Sequence, residues 1–296
     1  MSQTPPVLPP ALDPVVSGKV SIVVLNWNAR PFLERGLGSI VRHTSGPYEL
    51  VVVDNGSTDG SKEAIRRFIV AHPEIDVTFL DHGENLYFSR GFNLGMRASA
   101  RDAEYVVIFC NDVEVKRDGW LAELIAAVEP PGVVAAGHAR PGCPVSDEQR
   151  EIFRRNDPRY PDPELDRRMR EFMADPGATY THVYGFCFLL RRSLLACTGL
   201  YLEEGDFRQY HSDWEWTMRF QMLDLAIAPV LPGVHHWHGI SELVAFHPHL
   251  YRDLQEKIAD PETLARYLRE GRPLYTEESG YRTLEARRRT GRGDAV

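Results

Sequence analysis

Short aliphatic runs alternate with amphipathic stretches through the first half of the chain. Val20–Leu25 is a run of β-branched and aliphatic residues broken only by Ser21, and a helix-like stretch follows from Pro31 to His43. Glu49–Val53 is a second apolar run, and Gly60–Ala71 a second helix with Ile65, Phe68 and Ile69 on one face. Val77–Leu80, a helix from Arg90 to Ala100, the run Tyr105–Phe109 and a helix over Gly119–Val128 continue the pattern. Strands that are apolar at every position need cover on both faces, so this alternation predicts an α/β fold. Its core is a Rossmann-like, mostly parallel sheet flanked by helices. Ligands of such sheets bind beyond the carboxyl ends of the strands, and the polar clusters fall there.

The pattern then loosens. Val133–Ala136 is apolar, but Ala139–Thr179 is rich in Pro, Asp and Arg, with one short helix expected at Pro163–Met173. That composition reads as a long insertion or flexible flap. Regularity returns with Phe186–Leu190, a helix through Trp214–Leu223, an apolar stretch at Leu225–Val234 and a helix at Tyr251–Leu268. Residues 1–17 carry five prolines and read as a disordered leader, while residues 246–296 read as a helical extension with a solvated Arg-rich tail.

Composition narrows the classes. A net charge of −8 with no long basic block excludes nucleic acid as the main partner. Cys110, Cys143, Cys187 and Cys197 have no metal-ligand spacing and read as reduced thiols. Met1–Pro10 lacks the apolar core of a signal peptide, and no apolar run approaches the roughly 18–20 residues that span a bilayer. The expectation is a cytoplasmic protein without a transmembrane segment, any membrane contact being peripheral at the inner face.

Four polar clusters carry candidate chemistry. Glu49–Val53 runs into Asp54-Asn55-Gly56-Ser57-Thr58-Asp59-Gly60-Ser61. Asp54 there can accept hydrogen bonds from a base or ribose, or it can simply cap a strand-to-helix loop. A phosphate loop is excluded, because Lys62 does not follow Gly60 directly. Asn111-Asp112-Val113-Glu114 follows the run Tyr105–Phe109. Asp112 and Glu114 share a face if extended and suit a hard cation such as Mg²⁺ or Mn²⁺, although an acidic strand end is more often a solvated loop. Asp213 and Glu215 open a helix, where residues two apart project to different sides, so they cannot flank one glycosidic bond as a hydrolase pair. In His235-His236-Trp237-His238, an extended chain puts His236 and His238 on one face. A zinc site of histidines alone has no cysteine nearby to complete it.

Taken together these segments resemble the family 2 glycosyltransferases. Val20–Asn28 followed by Val51–Gly60 looks like the family's opening. Glu84–Gly95 is similar to its Asn/Gly-rich segment, and Phe109–Val115 sits where the family carries its Asp-x-Asp-type motif, in the form of the rhamnosyltransferase-like branch. The resemblance implies a GT-A fold over residues 18–245, with a nucleotide-sugar-binding half at 18–117 and an acceptor-side half at 118–245 containing the 139–179 insertion. It implies inversion by direct displacement with Asp213 as general base. Asp54 would contact the nucleoside, and Asn26, Asn28, Asn85, Arg90, Asn93, Asn111 and Gly185 would line the donor side. Asp112 would hold Mn²⁺ or Mg²⁺, helped by His236 (or His238) and Glu114, with Asn111 standing where an acidic residue is often found. Ser241 fits a Ser that follows the family's His. The donor would be a dTDP- or UDP-sugar, with dTDP-rhamnose favoured, and the acceptor a hydroxyl of a glycan, glycolipid, lipid-linked or other acceptor. The rivals are a nucleotidyltransferase making sugar nucleotides, which would need a basic Gly-rich loop where Leu25–Arg30 has none, and a non-catalytic nucleotide- or sugar-binding relative.

Overall fold

The structure is a computed structural model that describes residues 19–209, 211–237, 240, 243, 244, 248–260, 262, 263 and 266. The chain divides into two units, Met1–Trp237 and His238–Val296. The first unit is built on β1 (Val20–Asn26), α1 (Arg30–His43), β2 (Tyr48–Asp54), α2 (Ser61–Ala71), β3 (Asp76–Asp81), α3 (Tyr87–Ala98) and β4 (Tyr105–Cys110). It continues with β5 (Val113–Val115), α4 (Trp120–Ala127), β6 (Val133–Pro144), α5 (Asp147–Asn156), α6 (Pro163–Ala174), β7 (Thr179–Arg191) and α7 (Leu194–Thr198). A 3₁₀ turn at Gly205–Arg208, then α8 (Ser212–Met222), β8 (Ala226–Pro229) and β9 (Val234–His236) complete it. The second unit contributes α9 (Pro248–Ala259). That helix begins three residues before the expected Tyr251, and Leu268 lies outside the described residues.

The main sheet has the order β3-β2-β1-β4-β7-β6-β8. The first four strands of that order are parallel, β7 runs against both β4 and β6, and β8 is parallel to β6. Alternation explains why β1 and β2 are buried on both faces. Ile22, Val24, Leu50 and Val52 meet Leu33, Leu37 and Ile40 of α1, Ile65 of α2 and Trp120 of α4. Val23, Leu25, Val51 and Val53 meet Phe92 and Met96 of α3 and Trp216 and Phe220 of α8 on the other face. Each such side chain, fully buried, contributes about 1.5–3 kcal/mol.

Residues 139–179 contain the helix expected at Pro163–Met173, as α6, but are otherwise unlike the expected flap. They are a folded layer: β6 extends to Pro144, α5 starts with a capping box in which Ser146 accepts from Gln149, and α6 is capped by Asp162. Ile152, Phe153, Leu165, Met169 and Met173 form a third core with Trp214, Met218 and Met222 of α8. The charged residues that suggested a flap pair along the outer face, as Arg167 does with Glu164 and Glu171. Helix α8 is therefore enclosed by two cores, and most of its side chains are buried.

Candidate active site

The parallel strands deliver a row of polar residues at their carboxyl ends. Asn26 and Asp54 are register partners and both are fully buried. The Asn26 amide donates to Asp54 Oδ2 at 2.8 Å, and Asn111 donates to Asn26 Oδ1 at 3.0 Å, so three strand ends are tied together. Asp54 Oδ1 accepts from the Ser57 amide at 2.8 Å. Asn28 holds the same loop by accepting from the Thr58 amide at 2.7 Å. Gly56 makes the loop possible: its φ is +73°, and a Cβ there would lie 2.7 Å from the Glu84 backbone. One Asp54 oxygen thus holds the end of β1 and the other holds the loop.

The other donor-side residues divide into two groups. Asn85 accepts from the Tyr87 amide at 2.8 Å and shapes the entry to α3. Arg90 is exposed and paired with Glu203 and Glu204. Asn93 is fully buried, and its amide donates to the Tyr201 carbonyl and Glu203 while accepting from the Tyr201 amide. It acts as a strut for the 201–203 segment, not as a group presented to a ligand. Burial pushes the Glu203 carboxyl up, but hydrogen bonds from Asn93 and Arg90 and the charge of Arg97 bring it below the usual range.

Asp112 lies just past β4, and His236 closes β9, which pairs antiparallel with β5 so that Val113 faces His236. His236 Nε2 is 3.3 Å from Asp112 Oδ1, and the Trp237 amide donates to the Asp112 carbonyl at 2.9 Å. Trp237 is buried edge-on against Phe32, as a core residue. Glu114, expected beside Asp112 at the cation, is corrected: Arg35 grips it through both oxygens at 2.9 and 3.0 Å, and Lys116 adds a third contact at 2.9 Å. Burial works against that carboxylate, yet Lys116 and Arg35 hold its pKa below the usual range. Its partners in this structure are thus Arg35 and Lys116, not Asp112 or His236. Among the described residues no three His, Cys, Asp or Glu side chains cluster as a metal site; His238 and Ser241 lie outside those residues. The carboxylate and imidazole of Asp112 and His236 remain a donor pair that fits Mn²⁺ or Mg²⁺ when a diphosphate supplies further oxygens.

Asp213 stands in the first turn of α8. Its Oδ1 accepts from the Trp214 amide at 2.8 Å, and its Oδ2 lies 3.4 Å from the Gly185 amide and 3.7 Å from His182 Nε2. Gly185 is what lets β7 approach: a Cβ there would sit 3.2 Å from Asp213 Cβ and from Phe88 Cζ. Glu215 is fully buried, bonded at 2.6 Å both to Arg219 and to the Tyr160 hydroxyl. Arg219 therefore pairs with Glu215, not with Asp213. Burial first, then the Asp112, Cys187 and Asp213 charges, push the Cys110 thiol well up, so both candidate carboxylates act on the end of β4. Arg191 and Arg192 are distant from this edge: Arg191 is in register with Tyr105 at the start of β4 and bonds the Val128 carbonyl, and Arg192 bonds Ser99. Arg35 and His182 escaped the sequence reading; the alternation Tyr180, His182, Tyr184, Phe186 was the available signal for the latter.

This sheet order, with its acidic rim and a second carboxylate on a facing helix, is that of the GT-A fold. A mannosyltransferase from Pyrobaculum calidifontis, solved in complex with GDP-Man and Mn²⁺, superposes with a TM-score of 0.53 at 20% identity, over 93% of this chain and 76% of that one. The chain belongs to glycosyl transferase family 2, whose family model matches residues 21–199. It is similar to the glycosyltransferase AglE of Haloferax volcanii, 25% identical over 40% of this chain and 38% of AglE. It is also similar to the low-salt glycan biosynthesis hexosyltransferase Agl10 of the same organism, 24% identical over 73% of this chain and 67% of Agl10. The segments matched to AglE and to a Nostoc glycosyltransferase cover only 38% and 36% of those proteins.

Proposed function

We propose that the chain transfers a sugar from a nucleoside-diphosphate donor to an acceptor hydroxyl by a single displacement that inverts the anomeric carbon. Asp213 is the general base. The observation that carries this reading is the contrast on α8: Asp213 is partly exposed against the Gly185 backbone, while Glu215 is sealed in an ion pair. Asp213 takes the acceptor proton as the acceptor oxygen bonds to the anomeric carbon, and the nucleoside diphosphate leaves with the electron pair of the broken bond. Asp112 and His236 would hold Mn²⁺ or Mg²⁺, which supplies positive charge against the diphosphate. Asn26, Asp54, Asn111 and Asn28 fix the loop at the nucleoside end. The relative named for glycan biosynthesis supports a glycan acceptor. The Asn-Asp form of the motif favours dTDP-rhamnose among dTDP- and UDP-sugars.

A thermal-shift panel of dTDP, UDP and GDP, with and without Mn²⁺, tests the donor end. A ligand at 100 times its Kd stabilises the native state by about 2.7 kcal/mol. At least one nucleotide should give an Mn²⁺-dependent rise in Tm that Asp112→Ala loses while its ligand-free Tm is kept. An unchanged rise in the variant, or no rise with any nucleotide, contradicts the assignment.

A further inference from the structure

Strand β7 carries Tyr180, His182, Tyr184 and Phe186 at every second position, and their rings meet in series. Centroids are 5.8 Å apart for Tyr180 and His182, 4.8 Å for His182 and Tyr184, and 6.4 Å for Tyr184 and Phe186. At one end His236 stacks on Phe186 at 4.3 Å with planes 14° apart. From β6, His138 lies 4.8 Å from Tyr184 and 5.8 Å from Phe186. Further along, His182 stands 3.7 Å from Asp213. The row thus runs from the Asp112–His236 pair past the carboxylate of α8.

The ends of the row are core: Tyr180 is buried in the third core and Phe186 packs against the first. Its middle is not. Val183, Phe188 and Leu190 of the same strand are buried, whereas His182 and Tyr184 are half-buried and His138 is exposed. The β6–β7 register also shifts between Gly137 and Ala139, opening the ladder at His138; such irregularities are common beside functional sites. A pyranose ring has one face of C–H bonds, whose hydrogens are weakly positive, and a rim of hydroxyls. Aromatic faces are negative and match the first, while Tyr and His edges can hydrogen-bond the second.

We infer that this row is a pyranose-stacking platform that seats the acceptor as a glycan ring and turns one of its hydroxyls toward Asp213. The inference rests on the transferase reading and adds the acceptor's chemistry to it. Tyr184 is its centre, since it touches His182, Phe186 and His138.

The test is saturation-transfer NMR on the full chain with methyl glucopyranoside, methyl mannopyranoside, methyl rhamnopyranoside and N-acetylglucosamine, with the nucleotide thermal-shift panel run on the same samples. At least one pyranoside should receive saturation at its ring C–H protons. Tyr184→Leu should weaken that binding roughly tenfold, and Tyr184→Phe should retain it. Both variants should keep the wild-type nucleotide shift, which shows them folded. Transfer that is equal in wild type and Tyr184→Leu overturns the platform. So does the absence of transfer to any pyranoside in a protein that still shows a nucleotide shift. Tyr184-dependent transfer without any nucleotide shift supports the platform and overturns the transferase reading instead.

Discussion

Asp213 and Glu215 are two residues apart on one helix and have opposite surroundings. Glu215 offsets the charge of a buried Arg219, whose other nitrogen bonds the Thr198 and Leu200 carbonyls, and Tyr160 donates to it from the α5–α6 layer. Removing one partner of such a pair leaves a buried charge uncompensated. Glu215→Ala should therefore lose about 3–5 kcal/mol in a denaturant titration; a loss under about 1 kcal/mol would contradict the structural role. Sequence reasoning could separate the two carboxylates because helical geometry alone sends them to different sides. It could not see the fate of Glu114, since Arg35 is 79 residues away and meets it only through the packing of α1 against β5.

At the scale of elements, the approach of β7 to α8 sets the position of Asp213. Gly185→Ala inserts a methyl 3.2 Å from both Asp213 Cβ and Phe88 Cζ, so these neighbours must give by a few tenths of an ångström. A shift of the carboxylate on that scale should lower transfer about 10- to 100-fold with nucleotide affinity unchanged. Steady-state kinetics beside calorimetric nucleotide binding decides this; wild-type turnover in the variant would show that Asp213 tolerates the shift or has no part in the reaction. The strands and helices of the first half were legible because each apolar run is continuous and bounded by turn residues. Of the α5–α6 layer, α6 was legible as the helix expected at Pro163–Met173, but α5 and the packing of the layer were not. Leu165, Met169 and Met173 repeat at helical spacing, but they are set among Arg, Asp and Glu whose charges pair on the outer face. Their partners Trp214 and Met218 belong to a helix far along the chain.

In the first unit as a whole, the two halves of the sheet meet at the β4–β7 pairing, where the parallel strands give way to the antiparallel β7. That junction places the end of β4, through Cys110 and Gly185, beside the first turn of α8. The parallel class and its carboxyl-edge site followed from the hydrophobic pattern. The order β4-β7-β6-β8 did not, because it depends on pairings between distant segments whose apolar runs look alike. No described helix is long and apolar enough to cross a membrane. On the proposed function, the donor end and Asp213 form one transferase site with separable tasks. Turnover at saturating donor, measured beside nucleotide affinity for wild type and Asp213→Asn, tests it most directly. The amide keeps the size of the side chain but cannot accept a proton at neutral pH. Transfer should drop about 10²-fold or more with nucleotide affinity within about twofold of wild type; near-wild-type turnover in Asp213→Asn would contradict the account.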